Sequence, residues 1–156
     1  MSNRGRLPIA VTHQVRDTCM CLHLQRAARA VARRFDQALR PLHLTSGQFS
    51  LLMSLNRAEA PSIGQVSAGL AMDRTTLNAN LKPLERRGLL RVSVDDADRR
   101  SRRLALTPAG RSLLVRALPV WKQTHAAIDS LLGQSSPDTV RADLRKLSQG
   151  SAHAVR

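Results

Sequence analysis

The chain has 156 residues, 42% of them hydrophobic, which fits one domain with a core of its own. Its net charge is +14 and its pI near 11.8, with all but three of the 25 basic residues arginine, a balance that favours phosphate-bearing partners. Aromatics at 2% with no tyrosine exclude a single-strand binder built on stacking platforms; two cysteines exclude a disulfide framework; and no run of about 18 apolar residues or leader-like apolar core is present, so no membrane is expected and the expected location is cytoplasmic.

Residues 1–15 are polar and basic, contain Pro8, and read as a flexible arm. A long helix is predicted from Asp17 to Leu39, ended by Arg40-Pro41. Cys21, Leu24, Ala28, Val31, Phe35, Ala38 and Leu39 form its apolar face. Arg26, Arg29, Arg33 and Arg40 form a stripe opposite, within ~60° of one another on a helical wheel. Thr45 opens the next helix with a capping box to Gln48, and Phe49, Leu52, Met53 and Leu55 supply its core side. Residues 56–61 read as a loop.

The stretch 62–106 organises the rest. Ser62 with Gln65 is a second capping box, opening a short helix to Leu70. Asp73 caps a further helix through Arg87, stopped by Gly88 in a left-handed conformation. Leu77, Leu81 and Leu84 share one face of it. Arg74, Thr75, Asn78 and Lys82 share another, with Thr76 beside them. Such groups donate and accept on base edges and phosphates, so this helix is expected to enter a major groove. Arg and Asn are the usual bidentate base readers, while Thr and Lys more often touch the backbone. Leu89–Val94 and Arg103–Leu106 read as two strands. The turn between them carries Asp98, Arg99, Arg100 and Arg102. A helix for the groove followed by a basic hairpin is the layout of a winged helix-turn-helix.

Thr107 caps a helix with Pro108 at its first position, running to about Leu132. Leu114, Leu118, Trp121, His125, Ile128 and Leu132 repeat at alternating spacings of four and three, a seam for a partner helix. Gly133 breaks it, and Ser136-Pro137 starts a last helix with Val140, Leu144 and Leu147 apolar. Pro83 and Pro119 bend their helices without ending them, since the apolar pattern continues through both. The terminal helices carry more apolar face than one small domain needs, so residues 16–40 and 108–150 are read as dimerisation helices around a DNA-binding part at 45–106. The expected class is mainly α with a small β wing.

The order Asp98-Arg99-Arg100, a return strand, then Leu106-Thr107-Pro108-Ala109-Gly110 downstream of a helix-turn-helix resembles the MarR family of transcription regulators, over roughly Cys19 to Leu147. The resemblance implies a homodimer that places two winged helices on one face of double-stranded operator DNA. It implies that Arg100 goes toward the minor groove, where negative potential is enhanced, and that Asp98 orients it. It implies that the first long helix borders an effector cleft. Leu24, Arg26, Arg29, Phe49, Met53 and Trp121 are the expected effector-binding residues, and an arginine rim over an apolar floor suits an aromatic acid or an acyl-CoA thioester. Cys21 matches the peroxide-sensing cysteine of the organic-hydroperoxide regulators in the family, but the positions matching their tyrosines are Phe35 and Ser46. Cys21 is therefore read as a core thiol, with redox sensing the alternative. On one continuous helix Cys19 and Cys21 would stand ~200° apart, unable to pair or share a metal.

No catalytic constellation is present. Eleven acidic residues, no nucleophile elbow, no Walker loop and no metal-ligand spacing among the histidines exclude an enzyme, a metal site and a cofactor. The expected function is a sequence-specific repressor released by a small ligand. The rival from another class is a sequence-tolerant architectural DNA binder.

Overall fold

The structure, a computed structural model, describes residues 6–149. Its helices are α1 (Ile9–Thr18), α2 (Met20–Leu39), α3 (Ser46–Ser54), α4 (Ile63–Leu70), α5 (Arg74–Arg86), α6 (Pro108–Asp129) and α7 (Pro137–Gln149), with one hairpin of β1 (Leu90–Val94) and β2 (Arg102–Leu106) before α6. The starts of the inner helices obey local chemistry. The hydroxyls of Thr45 and Ser62 accept from the amides of Gln48 and Gln65, and both glutamines return to their cap's own amide. The Asp73 carboxylate accepts from the Thr76 amide, and the Thr107 hydroxyl from the Gly110 amide. Gly88 stands at φ +67, the left-handed stop expected of it. Pro83 and Pro119 lie inside α5 and α6, as read from the sequence.

The N-terminal reading needs two corrections. The expected arm to Val15 is helical from Ile9, while residues 1–5 lie outside the described residues. The expected continuous helix from Asp17 is broken at Cys19, whose backbone is extended at φ −71 and ψ 106. The break is held by local bonds: Thr18 Oγ1 donates to the Gln14 carbonyl at 2.7 Å, and His23 Nε2 lies 3.1 Å from the Asp17 carbonyl oxygen. Cys19 and Cys21 are therefore not held ~200° apart by one continuous helix. Nor is Cys21 a core thiol. It is exposed, and its Sγ accepts from Gln25 Nε2 at 3.3 Å, whereas Cys19 is half-buried.

The core is built from leucine. Leu39 closes α2, Leu51, Leu52 and Leu55 come from α3 and its end, Leu77, Leu81 and Leu84 from α5, Leu90 and Leu104 from the hairpin, and Leu113, Leu114 and Ala117 from α6. α2 packs along α6, and α3 sits among α2, α4, α5 and α6. Asp36 on α2 fixes the start of α3 by accepting from the Ser46 amide at 2.6 Å. The expected partner-helix seam of α6 is divided: Leu114 is buried within the chain, and Trp121 lies 6.3 Å from Phe49 of α3. β1 and β2 pair antiparallel from Leu90 opposite Leu106 to Val94 opposite Arg102, one residue inside the expected start of the first strand and one outside that of the second.

Gly110 makes the junction of hairpin and α6. It is buried, and a Cβ there would collide with the Leu89 carbonyl oxygen and stand 2.8 Å from Leu106 Cδ1. The Leu-Thr-x-x-Gly run thus has a steric reason: α6 must press its first turn onto the strand backbone. Gly110→Ala is expected to cost about 1–3 kcal/mol of stability through overpacking. A lower urea midpoint at unchanged slope checks it; an unchanged midpoint would show that the junction yields freely.

Candidate functional site

α4 and α5 meet at a tight turn. Ala71 ends α4 at φ +49, and the Ser67 hydroxyl and carbonyl bond the backbone of Met72. α5 then starts at its Asp73 cap. Backbone and side-chain hydrogen bonds from Thr76 hold the Asp73 carboxyl below the usual carboxylate range. Leu77 and Leu84 are 0% exposed and Leu81 4%. Because successive helical side chains are ~100° apart, sinking that face turns the other outward. Arg74, Thr75, Asn78 and Lys82 are all exposed, and the structure brings them onto one surface as the sequence predicts. Thr76 differs: its hydroxyl donates to Asp73 at 2.8 Å, and its carbonyl accepts from Asn80 Nδ2 at 2.9 Å. It serves the cap before any ligand arrives.

The wing departs from the expectation at Asp98. Its carboxylate does not grip the Arg100 guanidinium; it accepts from the Arg100 backbone amide at 3.0 Å, and its carbonyl accepts from the Ser101 amide. Asp98 therefore shapes the loop rather than the side chain. The carboxylate that does hold a guanidinium is Asp95, 2.6 Å from Arg103 Nε. Arg103 also donates to the Ala60 carbonyl at 3.0 Å, and the Leu104 amide donates to Pro61. These bonds tie the wing base to the segment before α4. The Ala97 amide, with help from Arg103, holds the Asp95 carboxyl below its ordinary value against the opposing effect of desolvation. Sequence reasoning missed both residues, because a run of acids and arginines offers many pairings. Arg102 folds back onto the carbonyls of Arg99 and Ser101. Arg99 and Arg100 are exposed, with no side-chain partner among the described residues.

A cleft of about 420 Å³ lies between α3, α4 and α6. Phe49, Met53, Leu70, Leu118 and Trp121 give it apolar walls; Arg57 and Gln65 are polar groups on its lining. Trp121 lies between the ring of Phe49, at 6.3 Å, and that of His125, at 4.7 Å and nearly parallel. His125 Nε2 is 3.2 Å from Arg141 Nη1, which also reaches Asp129 at 3.0 Å, so α7 is clamped behind the stack. Asp138 and then Asp129 raise the Arg141 pKa. The expected effector set splits here. Phe49, Met53 and Trp121 line the cleft, but Arg26 and Arg29 line a separate concavity with His23 and Arg33. Half-buried Leu24 lines neither. Arg57 and Gln65 escaped the sequence reading, one as a loop residue and the other as a cap. Among the described residues no group of three or more His, Cys, Asp or Glu is placed to hold a metal ion, and no helix is long and apolar enough to cross a membrane.

Residues 42–101 match the MarR family. The fold is similar to that of the transcriptional regulator MosR of M. tuberculosis solved with DNA, at 35% identity, TM-score 0.76, 85% of this chain and 96% of that one. The chain belongs to the MarR family. It is similar to BpsR of Bordetella bronchiseptica (31% identity, TM-score 0.71, 86% of this chain and 94% of that one). It also matches the HTH-type transcriptional regulator PecS of Dickeya dadantii, 28% identical over 129 residues, 81% of this chain and 78% of that one. As a MarR-family protein the chain is a DNA-binding transcription regulator and not an enzyme.

The Asp95 geometry sets a sign for acid stability. Its folded pKa is depressed, so its contribution is present at neutral pH and is lost as pH falls below the unfolded value of about 3.9 and through the folded one. Asp95→Asn is expected to flatten this part of the acid limb, while Asp73 keeps its own share in both proteins. Urea midpoints measured from about pH 5 to pH 2 check it; identical acid limbs would remove Asp95 from the account.

Proposed function

We propose that the protein is a homodimeric repressor of a two-fold symmetric operator, with α5 in the major groove and Arg99 and Arg100 over the neighbouring backbone and minor groove. The support for the dimer is unpaired apolar surface at both ends of the chain. α1 has no buried residue, and Leu7, Ile9, Met20 and Leu147 are all more than half exposed. A ten-residue helix with no buried residue is marginal in water, so α1 needs a partner. A two-fold dimer fits half-sites about one turn, roughly 10 base pairs, apart. Arg100→Ala or Asn78→Ala is expected to weaken operator binding by about 1–3 kcal/mol at matched salt. A footprint on a single asymmetric site, or parent-like titrations by both variants, would overturn the arrangement. Competition by unrelated DNA at raised salt separates this reading from a sequence-tolerant architectural protein, since only a specific reader keeps its preference.

The effector is an anionic aromatic molecule, and the cleft beside Trp121 carries that reading. Its apolar walls suit a ring and Arg57 suits a carboxylate. In BpsR, DNA binding is regulated by 6-hydroxynicotinic acid, itself an aromatic acid. The cleft lies between α6 and the α3–α4 pair that carries α5, so a ligand fitting only one spacing of these helices changes DNA affinity by its differential binding. Aromatic acids are expected to release the operator complex and to relieve repression in a purified transcription assay. Arg57→Ala is expected to weaken release, and no release by any aromatic acid would refute the cleft reading.

The exposed thiol of Cys21 favours one second reading, redox regulation. Loss of operator binding on treatment with an organic hydroperoxide, absent in Cys21→Ser, is its signature; parent-like binding after treatment removes it.

A further inference from the structure

The cleft beside Trp121 is one lobe of a longer groove. Met53 and Leu118 also wall a second concavity of about 210 Å³, whose other side chains include Asn56, Val115 and Arg111. The lobes lie in series along α6. Trp121 and Arg111 are ten residues apart, about 15 Å of helix. The two side chains common to both are Met53, 39% exposed, and Leu118, 36% exposed. Methionine has three rotatable bonds and adapts its shape to whatever lies against it.

Each lobe carries its own cation. Arg57 stands with Gln65 in the first, and Arg111 with Asn56 in the second. Among the described residues neither guanidinium has a carboxylate within salt-bridge distance, although other arginines of the chain do. A small aromatic acid would fill one lobe, leave Arg111 to water, and leave Val115 at 72% exposure.

Resting on the cleft reading, we propose that the effector class is an elongated, rigid, apolar molecule with an anionic group at each end. One carboxylate meets Arg57, the body lies across Met53 and Leu118, and the second carboxylate meets Arg111. Guanidinium and carboxylate pair in a planar, two-bond geometry, so two such ends fix both the length and the orientation of the ligand.

Trp121, the only tryptophan, reports binding directly by its fluorescence. Three probes are titrated into the full chain: benzoate, biphenyl-4-carboxylate and biphenyl-4,4′-dicarboxylate. The dicarboxylate is expected to bind about tenfold more tightly than the monocarboxylate. Arg111→Gln is expected to erase that gain while leaving the monocarboxylate unchanged, and Arg57→Gln to weaken all three. If the two monocarboxylates bind through Arg57 but the second carboxylate adds nothing, the two-ended effector is wrong and the cleft reading stands. If no probe binds, both fail. If Arg111→Gln alters the sedimentation-equilibrium state and not the dicarboxylate affinity, the second lobe belongs to another copy of the chain and the proposal is overturned.

Discussion

Burial of the leucine face of α5 is the interaction on which the exposed polar face of that helix depends. Leu77, Leu81 and Leu84 are almost wholly withdrawn from water, and each contributes about 1.5–3 kcal/mol of transfer free energy. Among the described residues no polar or charged residue is buried with them. The face is therefore fixed by a non-directional force, and its orientation by helix geometry alone. Arg74, Asn78 and Lys82 point outward because rotating them inward would expose the leucines and bury charge, two costs of the same sign.

The end of α5 is a joint. Arg87, just past the helix, donates to the carbonyls of His43 and Leu42 at the turn after α2. The Thr107 hydroxyl donates to the Gly88 carbonyl at 2.7 Å while accepting from Gly110, and the Thr107 amide donates to Leu89. One short segment, Arg87–Leu89, is thus bonded to the end of α2 and to the start of α6. A displacement of α6 relative to α3 and α4 meets α5 through hydrogen bonds of defined length rather than through a loose linker. The cleft lies across these same helices, so a change in their spacing is transmitted to α5 through bonded segments.

Most of this was legible where the determining chemistry is local. Capping boxes at Thr45 and Ser62, the Asp73 and Thr107 caps, and the stop at Gly88 each involve residues within three or four positions, so sequence spacing contains the whole cause. The break at Cys19 was not legible. No proline or glycine marks it, and the bonds that hold it, from Thr18 to Gln14 and between His23 and Asp17, compete with the helix by small margins. The wing shows the same boundary. Its strands and basic tip follow from pattern, but the choice of Asp95 over Asp98 as the partner of an arginine follows from where β2 lies against Ala60, a contact 43 positions apart in the chain. Arg57 was missed for the same reason: the cleft it lines is assembled from α3, α4 and α6.

Most of the aspartates serve as clips. Asp95, Asp129, Asp138 and Asp143 hold nearby cations, whereas Asp36, Asp73 and Asp98 accept from backbone amides. Some arginines are used structurally as well: Arg103 and Arg141 pair with carboxylates, and Arg87 and Arg102 donate to backbone carbonyls. The wing tip shows what this achieves. Asp98 orders the loop by taking the Arg100 amide, and Arg102 closes it by bonding two carbonyls. The backbone under Arg99 and Arg100 is set by these bonds, which lowers the ordering cost of any contact those two side chains make. An ion pair from Asp98 to Arg100 would have oriented the side chain but would have had to be broken, or shared, at the phosphates. Directing the carboxylate to the backbone instead leaves the Arg99 and Arg100 guanidiniums without an ion-pair partner among the described residues.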